Sequence, residues 1–136
     1  MVRFTEPLIR RLPRYGVTSF LATTVTLPLA QVKRKLAEMA QVLADPPTGA
    51  RCLGIHLEGP HISPNRTGLA NPAWTLPLTR SGFDELQEAA SGYIKMITFA
   101  PEQAEASHLI PYLLEPGVIP SIGHSDANYE QVAEAR

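Results

Sequence analysis

The carboxylate of Glu58 and the imidazole of His124 are the side chains in this sequence best placed to do chemistry. Each stands where an apolar, β-branched run gives way to turn formers. Gly54-Ile-His-Leu-Glu58 leads into Gly-Pro-His-Ile-Ser-Pro-Asn-Arg-Thr-Gly68, and Val118-Ile-Pro-Ser-Ile122 leads into Gly-His-Ser-Asp126. Polar groups at the exits of buried strands are where α/β folds collect their reactive side chains. A carboxylate and a neutral imidazole suit a divalent cation of the zinc or iron class, and ligands from separate strand ends of a parallel barrel converge on one rim. Two ligands fall short of the three that a catalytic zinc site usually draws from protein. Two plainer readings stand beside the metal one: Glu58 neutralising a helix dipole or an arginine, and His124 as a loop histidine bonded to backbone.

The remaining candidates are weaker. His56 and Glu58 form His-x-Glu, which puts both on one face of a strand; the cytidine-deaminase reading of that pair fails because no Pro-Cys-x-x-Cys half is present. His56 reads as an inward-packed support for its neighbour. His61 lies on the loop just beyond and is placed to line a pocket. His108 has no evident partner, and Cys52, deep in its strand, reads as core. No Gly-x-Gly-x-x-Gly, no P-loop lysine and no Gly-x-Ser-x-Gly elbow occurs.

These residues need elements to hold them. Thr5-Glu6-Pro7 opens a short helix, with Thr5 as cap, that Pro13 ends. Residues 17–25, β-branched and aromatic, read as a strand. Leu29, Val32, Leu36, Met39 and Leu43 recur at helical spacing over residues 29–44, with Lys33, Arg34 and Lys35 on a solvated face. Residues 51–58 form the second strand; Leu53, Ile55 and Leu57 share the face under helices, and Cys52, Gly54, His56 and Glu58 share the other. Residues 62–81, with Pro64, Pro72 and Pro77, read as a long loop, functional or disordered. A helix over 83–90 entered through Ser81, a strand over 93–99, a helix over 102–114 broken or kinked by Pro111, a strand over 118–122 and a helix over 128–136 capped by Ser125 or Asp126 complete the chain. Pro120 is unexpected in a central strand, because it removes a ladder donor.

A helix followed by four strand–helix units predicts parallel strands with helices outside, in an open doubly wound sheet or in a (β/α)8 barrel of which four units are half. The last repeat breaks off, so a fragment of a longer gene product is expected. The 136 residues are 44% hydrophobic and 18% charged, as in an ordinary soluble domain with a real core. A net charge of −1 gives no reason to expect nucleic acid or an anionic membrane as partner. No apolar run approaches the roughly 20 residues of a membrane span, and the single cysteine excludes an internal disulfide or a Cys-pair zinc site. A cytoplasmic location is the simplest expectation.

His56-Leu-Glu-Gly-Pro-His-Ile-Ser-Pro-Asn-Arg-Thr-Gly68 resembles the signature of the N-acetylglucosamine-6-phosphate deacetylases of the amidohydrolase superfamily. Gly16-Val-Thr-Ser-Phe-Leu-Ala-Thr, Thr98-Phe-Ala-Pro-Glu102 and Ser121-Ile-Gly-His-Ser-Asp-Ala127, followed by Tyr129-Glu130, agree in order and spacing. The resemblance spans nearly the whole chain. It implies a portion of a (β/α)8 TIM-type barrel, roughly the second to fifth βα units over residues 1–136. It further implies hydrolysis of the acetamide of N-acetylglucosamine 6-phosphate to glucosamine 6-phosphate and acetate, a step of amino sugar catabolism. By the same resemblance Glu58 and His124 are ligands of a divalent cation and Leu69 occupies the position that contacts the sugar; His56 and His61, by their places on the strand and loop, are the candidates for support. No catalytic residue of the family lies in the chain: its aspartate falls beyond residue 136, and Asp126 reads as a helix cap. Family enzymes are commonly homodimers. Where the family usually has Gly-Ala-His, this chain has Gly68-Leu-Ala70, so a pocket histidine is absent at Ala70. The alternatives are another amidohydrolase, dihydroorotase-like or deaminase-like, and a non-catalytic remnant or binding module. On the deacetylase reading the isolated chain is expected to be inactive.

Overall fold

A computed structural model describes residues 5–103 and 107–135. Four strands, β1 (Ser19–Thr23), β2 (Arg51–Glu58), β3 (Ile94–Phe99) and β4 (Ile119–Ile122), form one parallel sheet in the order β1-β2-β3-β4. Sequential order without a reversal removes the doubly wound alternative, whose sheet turns back at a switch point; it is the order of an arc of a (β/α)8 barrel. Each connection carries a helix: α2 (Leu29–Ala44), α3 (Arg80–Ala89) and α4 (Ile110–Leu114), with α1 (Thr5–Arg11) before β1 and α5 (Tyr129–Glu134) after β4.

The core lies between the sheet and α2, α3 and α4. Ile55 and Leu57 of β2 meet Ile94, Ile97 and Phe99 of β3, Val32 and Leu36 of α2, and Phe83 and Leu86 of α3. Burial of a single such side chain stabilises by about 1.5–3 kcal/mol. Leu53 shares parity with Ile55 and Leu57 but is 49% exposed, because it stands at the N-terminal end of β2 beyond helical cover. Cys52 is likewise half-buried at that end rather than a core residue. The basic face of α2 is solvated and paired, Lys33 with Glu85 and Lys35 with Glu38 at 2.9 Å. The hydrogen bond from Lys35 holds the Glu38 carboxyl below its ordinary range.

Several element ends differ from expectation, and the side chains say why. Thr5 is the first residue of α1 rather than a cap before it, and Pro13 sits at the start of a 3-10 turn (Leu12–Tyr15) instead of ending the structure. The third helix begins at Arg80, one residue before Ser81, because Thr79 caps it by accepting from the Gly82 N–H at 3.1 Å. Pro111 does not kink a long helix; it occupies the first turn of the short α4, where its missing N–H costs nothing. Glu102 lies in a turn, and part of the expected helix over 102–114 falls on residues outside those described. Asn128, not Ser125 or Asp126, caps α5, in a reciprocal pair with Gln131; Arg136 lies outside the described residues. Pro120 does sit within β4, but Gly123 N–H donates to Phe99 O. N–H groups alternate along a strand, so the nitrogen of Pro120 faces away from β3, a position that tolerates proline. No helix among the described residues is long and apolar enough to cross a membrane.

Candidate functional site

The strand register fixes which side chains share the face away from the helices. Thr23 pairs with His56, Glu58 with Thr98, and Thr98 with Ser121. Partners in register point the same way. His56 sits at the centre of this face, with Nε2 2.7 Å from Thr98 Oγ1 and Nδ1 3.2 Å from Thr23 Oγ1. One ring nitrogen donates and the other accepts from a threonine hydroxyl. The imidazole therefore ties β1, β2 and β3 together at the level just below Glu58, with both nitrogens satisfied.

Glu58 ends β2, and its backbone N–H donates to Oγ1 of the buried Thr24 at 3.0 Å. The next residue, Gly59, has φ of +69°, and a Cβ there would lie 1.9 Å from Thr26 Oγ1. Only glycine lets the chain leave the strand so close to β1. At the end of β4, a Cβ on Gly123 would meet Thr98 Cγ2 at 2.9 Å, so the same closeness delivers His124 beside β3. His124 itself adopts φ of +52°, uncommon for a residue with a side chain. Such a backbone costs of order 1–3 kcal/mol and persists where its surroundings over-determine it.

Those surroundings are visible. His124 Nε2 is 2.9 Å from Glu58 Oε1, and Nδ1 is 2.7 Å from the Arg66 carbonyl oxygen. The His124 carbonyl accepts from Ser63 N–H at 2.9 Å. Both ring nitrogens thus face acceptors, a carboxylate and a carbonyl. A neutral imidazole supplies one N–H only. The Nδ1–H···O=C bond uses it, which leaves the Nε2 lone pair beside Oε1, two electron-pair donors that one cation would satisfy together. An imidazole whose far nitrogen is fixed by a backbone carbonyl is also how proteins orient metal-binding histidines. The donor set suits a divalent cation of the zinc class. Among the described residues no group of three or more His, Cys, Asp and Glu side chains gathers.

Above this pair opens a cavity of about 430 Å³, walled by Val25, Leu27, Ile62 and Trp74, with Glu58 and His124 at its polar end. Gly68, Leu69 and Ala70 form its mouth, and the Leu69 side chain projects fully into solvent. His61 is not in this wall. It is 2% exposed, with Nδ1–H donating to the carbonyls of Leu76 and Pro77 at 3.2 and 3.1 Å, and Nε2 has no partner among the described residues. The expectation of a pocket-lining histidine is corrected: His61 fastens the loop after β2 to the segment before α3. Burial lowers its pKa against the raising effect of those two carbonyls. His108 is exposed in a 3-10 turn, Ser107–Leu109. Sequence reasoning gives no role to Thr24, Arg66 or Glu102; Arg66 lies in the His56–Gly68 run and Glu102 in the Thr98–Glu102 run, whereas Thr24 lies in neither.

No protein-family model matches the chain. It is 39% identical over 128 residues to the N-acetylglucosamine-6-phosphate deacetylase of Bacillus subtilis, covering 92% of this chain and 32% of that protein. The Vibrio furnissii deacetylase of the same name is 35% identical over 135 residues, with 96% and 34% covered. The chain is homologous to N-acetylglucosamine-6-phosphate deacetylases. It spans about a third of the length of the curated relatives it matches. The solved deacetylase from Thermotoga maritima superposes with a TM-score of 0.81 at 32% identity, over 98% of this chain and 35% of its own. A Mycobacterium smegmatis deacetylase variant solved with N-acetyl-D-glucosamine-6-phosphate matches at 0.78 and 32%, over 88% and 30%. The four-stranded arc is thus the deacetylase arrangement over the matched third.

Proposed function

We propose that residues 1–136 supply roughly the second to fifth βα units, and part of the metal site, of a deacetylase. Its reaction is the hydrolysis of N-acetylglucosamine 6-phosphate to glucosamine 6-phosphate and acetate. The observation that carries this reading is the Glu58–His124 pair, 2.9 Å apart and set inside the His-Leu-Glu-Gly-Pro and Gly-His-Ser-Asp runs. Glu58 supplies negative charge, and His124 supplies a nitrogen whose ring is aimed by the Arg66 carbonyl. Glu58 and His124 would hold a divalent cation of the zinc or iron class, which would polarise an amide carbonyl and lower the pKa of water toward ~7.

The rest of the site prepares the substrate. The apolar wall of Val25, Leu27, Ile62 and Trp74 limits water around the acetamide. Leu69, at the mouth, offers its backbone to the sugar. His56 keeps three strands in register beneath Glu58. A group that hands a proton to the leaving amine is still required. Asp126 does not serve, because its carboxylate is paired with Arg66 at 2.6 Å; the role falls to the aspartate that the family resemblance places beyond residue 136. The working form is a cytoplasmic homodimer.

The test is calorimetric titration of the metal-free chain with Zn²⁺ and Fe²⁺, followed by acetate release from N-acetylglucosamine 6-phosphate. Binding that Glu58→Gln or His124→Asn weakens more than about 10-fold, without turnover by the chain alone, is the expected result. Absence of binding in the parent would leave a non-catalytic remnant, and acetate release by the unaided chain would refute the assignment of the proton donor to residues outside it. One further substrate is favoured by a specific observation. The relative from Escherichia coli O157:H7, 34% identical over 122 residues, is an N-acetylgalactosamine-6-phosphate deacetylase. The two sugars differ at one hydroxyl, so parallel assays on both separate the readings.

A further inference from the structure

The turn that follows His124 is held from a different strand. Ser125 Oγ–H and the Asp126 backbone N–H both donate to the Glu102 carboxylate, to Oε2 and Oε1 respectively, each at 2.6 Å. Ser125 Oγ in turn accepts from Ala127 N–H at 2.8 Å. Glu102 lies in the turn after β3, three residues beyond Phe99, and Gly123 N–H is bonded to Phe99 O at 3.1 Å. The β3 end thus grips the chain on both sides of His124. A carboxylate that accepts two short bonds is a stronger fastening than a neutral acceptor. His124 needs one, since its backbone sits at φ of +52°.

We propose that Glu102 is a positioning residue: by clamping the Ser125–Asp126 turn it holds the His124 backbone in its left-handed conformation and so aims the imidazole at Glu58. This rests on reading Glu58 and His124 as cation ligands. Glu102 touches neither cation nor substrate and acts only through His124. An amide keeps one acceptor oxygen and puts an NH2 donor in place of the other, so the Ser125 hydroxyl must turn from donor to acceptor and both bonds lose their charge. Glu102→Gln therefore weakens the clamp, and Glu102→Ala removes it.

The experiment compares the parent, Glu102→Gln and Glu102→Ala by zinc titration and by NMR of the metal-free imidazoles. Removing an outer partner of a ligand lowers metal affinity about 10- to 100-fold, and Glu102→Ala is expected in that range with Glu102→Gln between it and the parent. In a His124→Asn background Glu102→Ala is expected to change zinc affinity no further. A loss of the same size in that background would show general loosening and overturn the proposal, as would parent-like affinity in Glu102→Ala. The metal-free arm keeps the two readings apart. In the parent the His124 ring is held in one orientation, with Nδ1 facing the Arg66 carbonyl; in Glu102→Ala the signals are expected to average. Should Glu58→Gln leave zinc binding untouched, the cation reading falls, and unchanged His124 ring signals in Glu102→Ala would then sink the clamp independently. If circular dichroism shows Glu102→Ala unfolded, Glu102→Gln carries both arms.

Discussion

Leu57 and Glu58 are adjacent in β2, yet they belong to opposite faces of the sheet and to different tasks. Leu57 is wholly buried among the side chains of β3 and the helices, where contacts are apolar and interchangeable in kind. Glu58 faces the other way with its side chain 34% exposed, and it meets a histidine that is 66 residues away in sequence. On the helix face, energy comes from area removed from water. On the other face it comes from individual hydrogen bonds among Thr23, Thr24, His56, Thr98, Glu102 and His124, each made to one partner. The first face tolerates exchange among apolar residues of similar volume; the second does not tolerate a changed donor count. The molecule divides stability and function between the two faces of one strand, and that division can be broken in a graded way.

The largest effect is expected on the helix face. Leu57→Ala should lower unfolding free energy by about 2–5 kcal/mol, the range for a large side chain lost from a packed core. Urea denaturation followed by circular dichroism reads it. Little change would mean that the sheet–helix layer is not the seat of stability. One residue along, Glu58→Gln should shift the urea midpoint far less while lowering zinc affinity more than about 10-fold, the floor for losing even an outer partner of a metal ligand. Equal stability losses at the two positions would erase the distinction between the faces.

Thr24 sits where the two tasks meet. Its buried hydroxyl accepts from the Glu58 N–H, so Thr24→Val keeps the shape and removes the acceptor. A buried N–H left without a partner costs about 1–3 kcal/mol. Thr24→Val is therefore expected to fall between the two variants above in stability and to weaken zinc binding as well, because the unpaired N–H belongs to the ligand residue. Denaturation and titration on the same sample check it; a fall in stability alone would confine Thr24 to folding.

How much of this was open to sequence reasoning depends on the range of the interaction. Residues 51–58 and 29–44 match β2 and α2 end to end, because alternation and helical period are local patterns. The meeting of Glu58 and His124 was legible too, since parallel strands in sequential order bring their exits to one rim. The clamp was not. Ser125, Asp126 and Asn128 are all good caps, and only the tertiary neighbourhood decides that Asn128 caps α5 while the other two turn to Glu102. Thr79 and Ser81 are both good caps two residues apart, and the local bond from Gly82 N–H to Thr79 selects the first. Pro111 falls in the first turn of a helix that starts at Ile110, a start no strong local cap announces. No local pattern says that the loop carrying His61 folds under the segment at Leu76.

The smallest predicted effect concerns that histidine and sharpens the comparison, since His61 is a polar residue doing a core residue's work. Its Nδ1–H is bonded to the Leu76 and Pro77 carbonyls, its Nε2 is buried and unpartnered, and burial holds its pKa below the ordinary 6.5. A second proton would land on Nε2, where no acceptor waits, so the folded ring stays neutral at a pH where the unfolded ring has already charged. Within that interval the unfolded chain binds more protons, and stability falls as pH falls. The contribution is whole above pH 6.5 and is lost progressively below it, until the folded ring itself protonates. His61→Phe keeps an aromatic body in the same space but cannot titrate. Measured by urea denaturation between pH 7 and pH 5, the parent should lose stability more steeply than His61→Phe, the difference appearing only below about pH 6.5. Parallel slopes would mean that a proton reaches Nε2 without cost, and that the segment at Leu76 is not held closed over this ring.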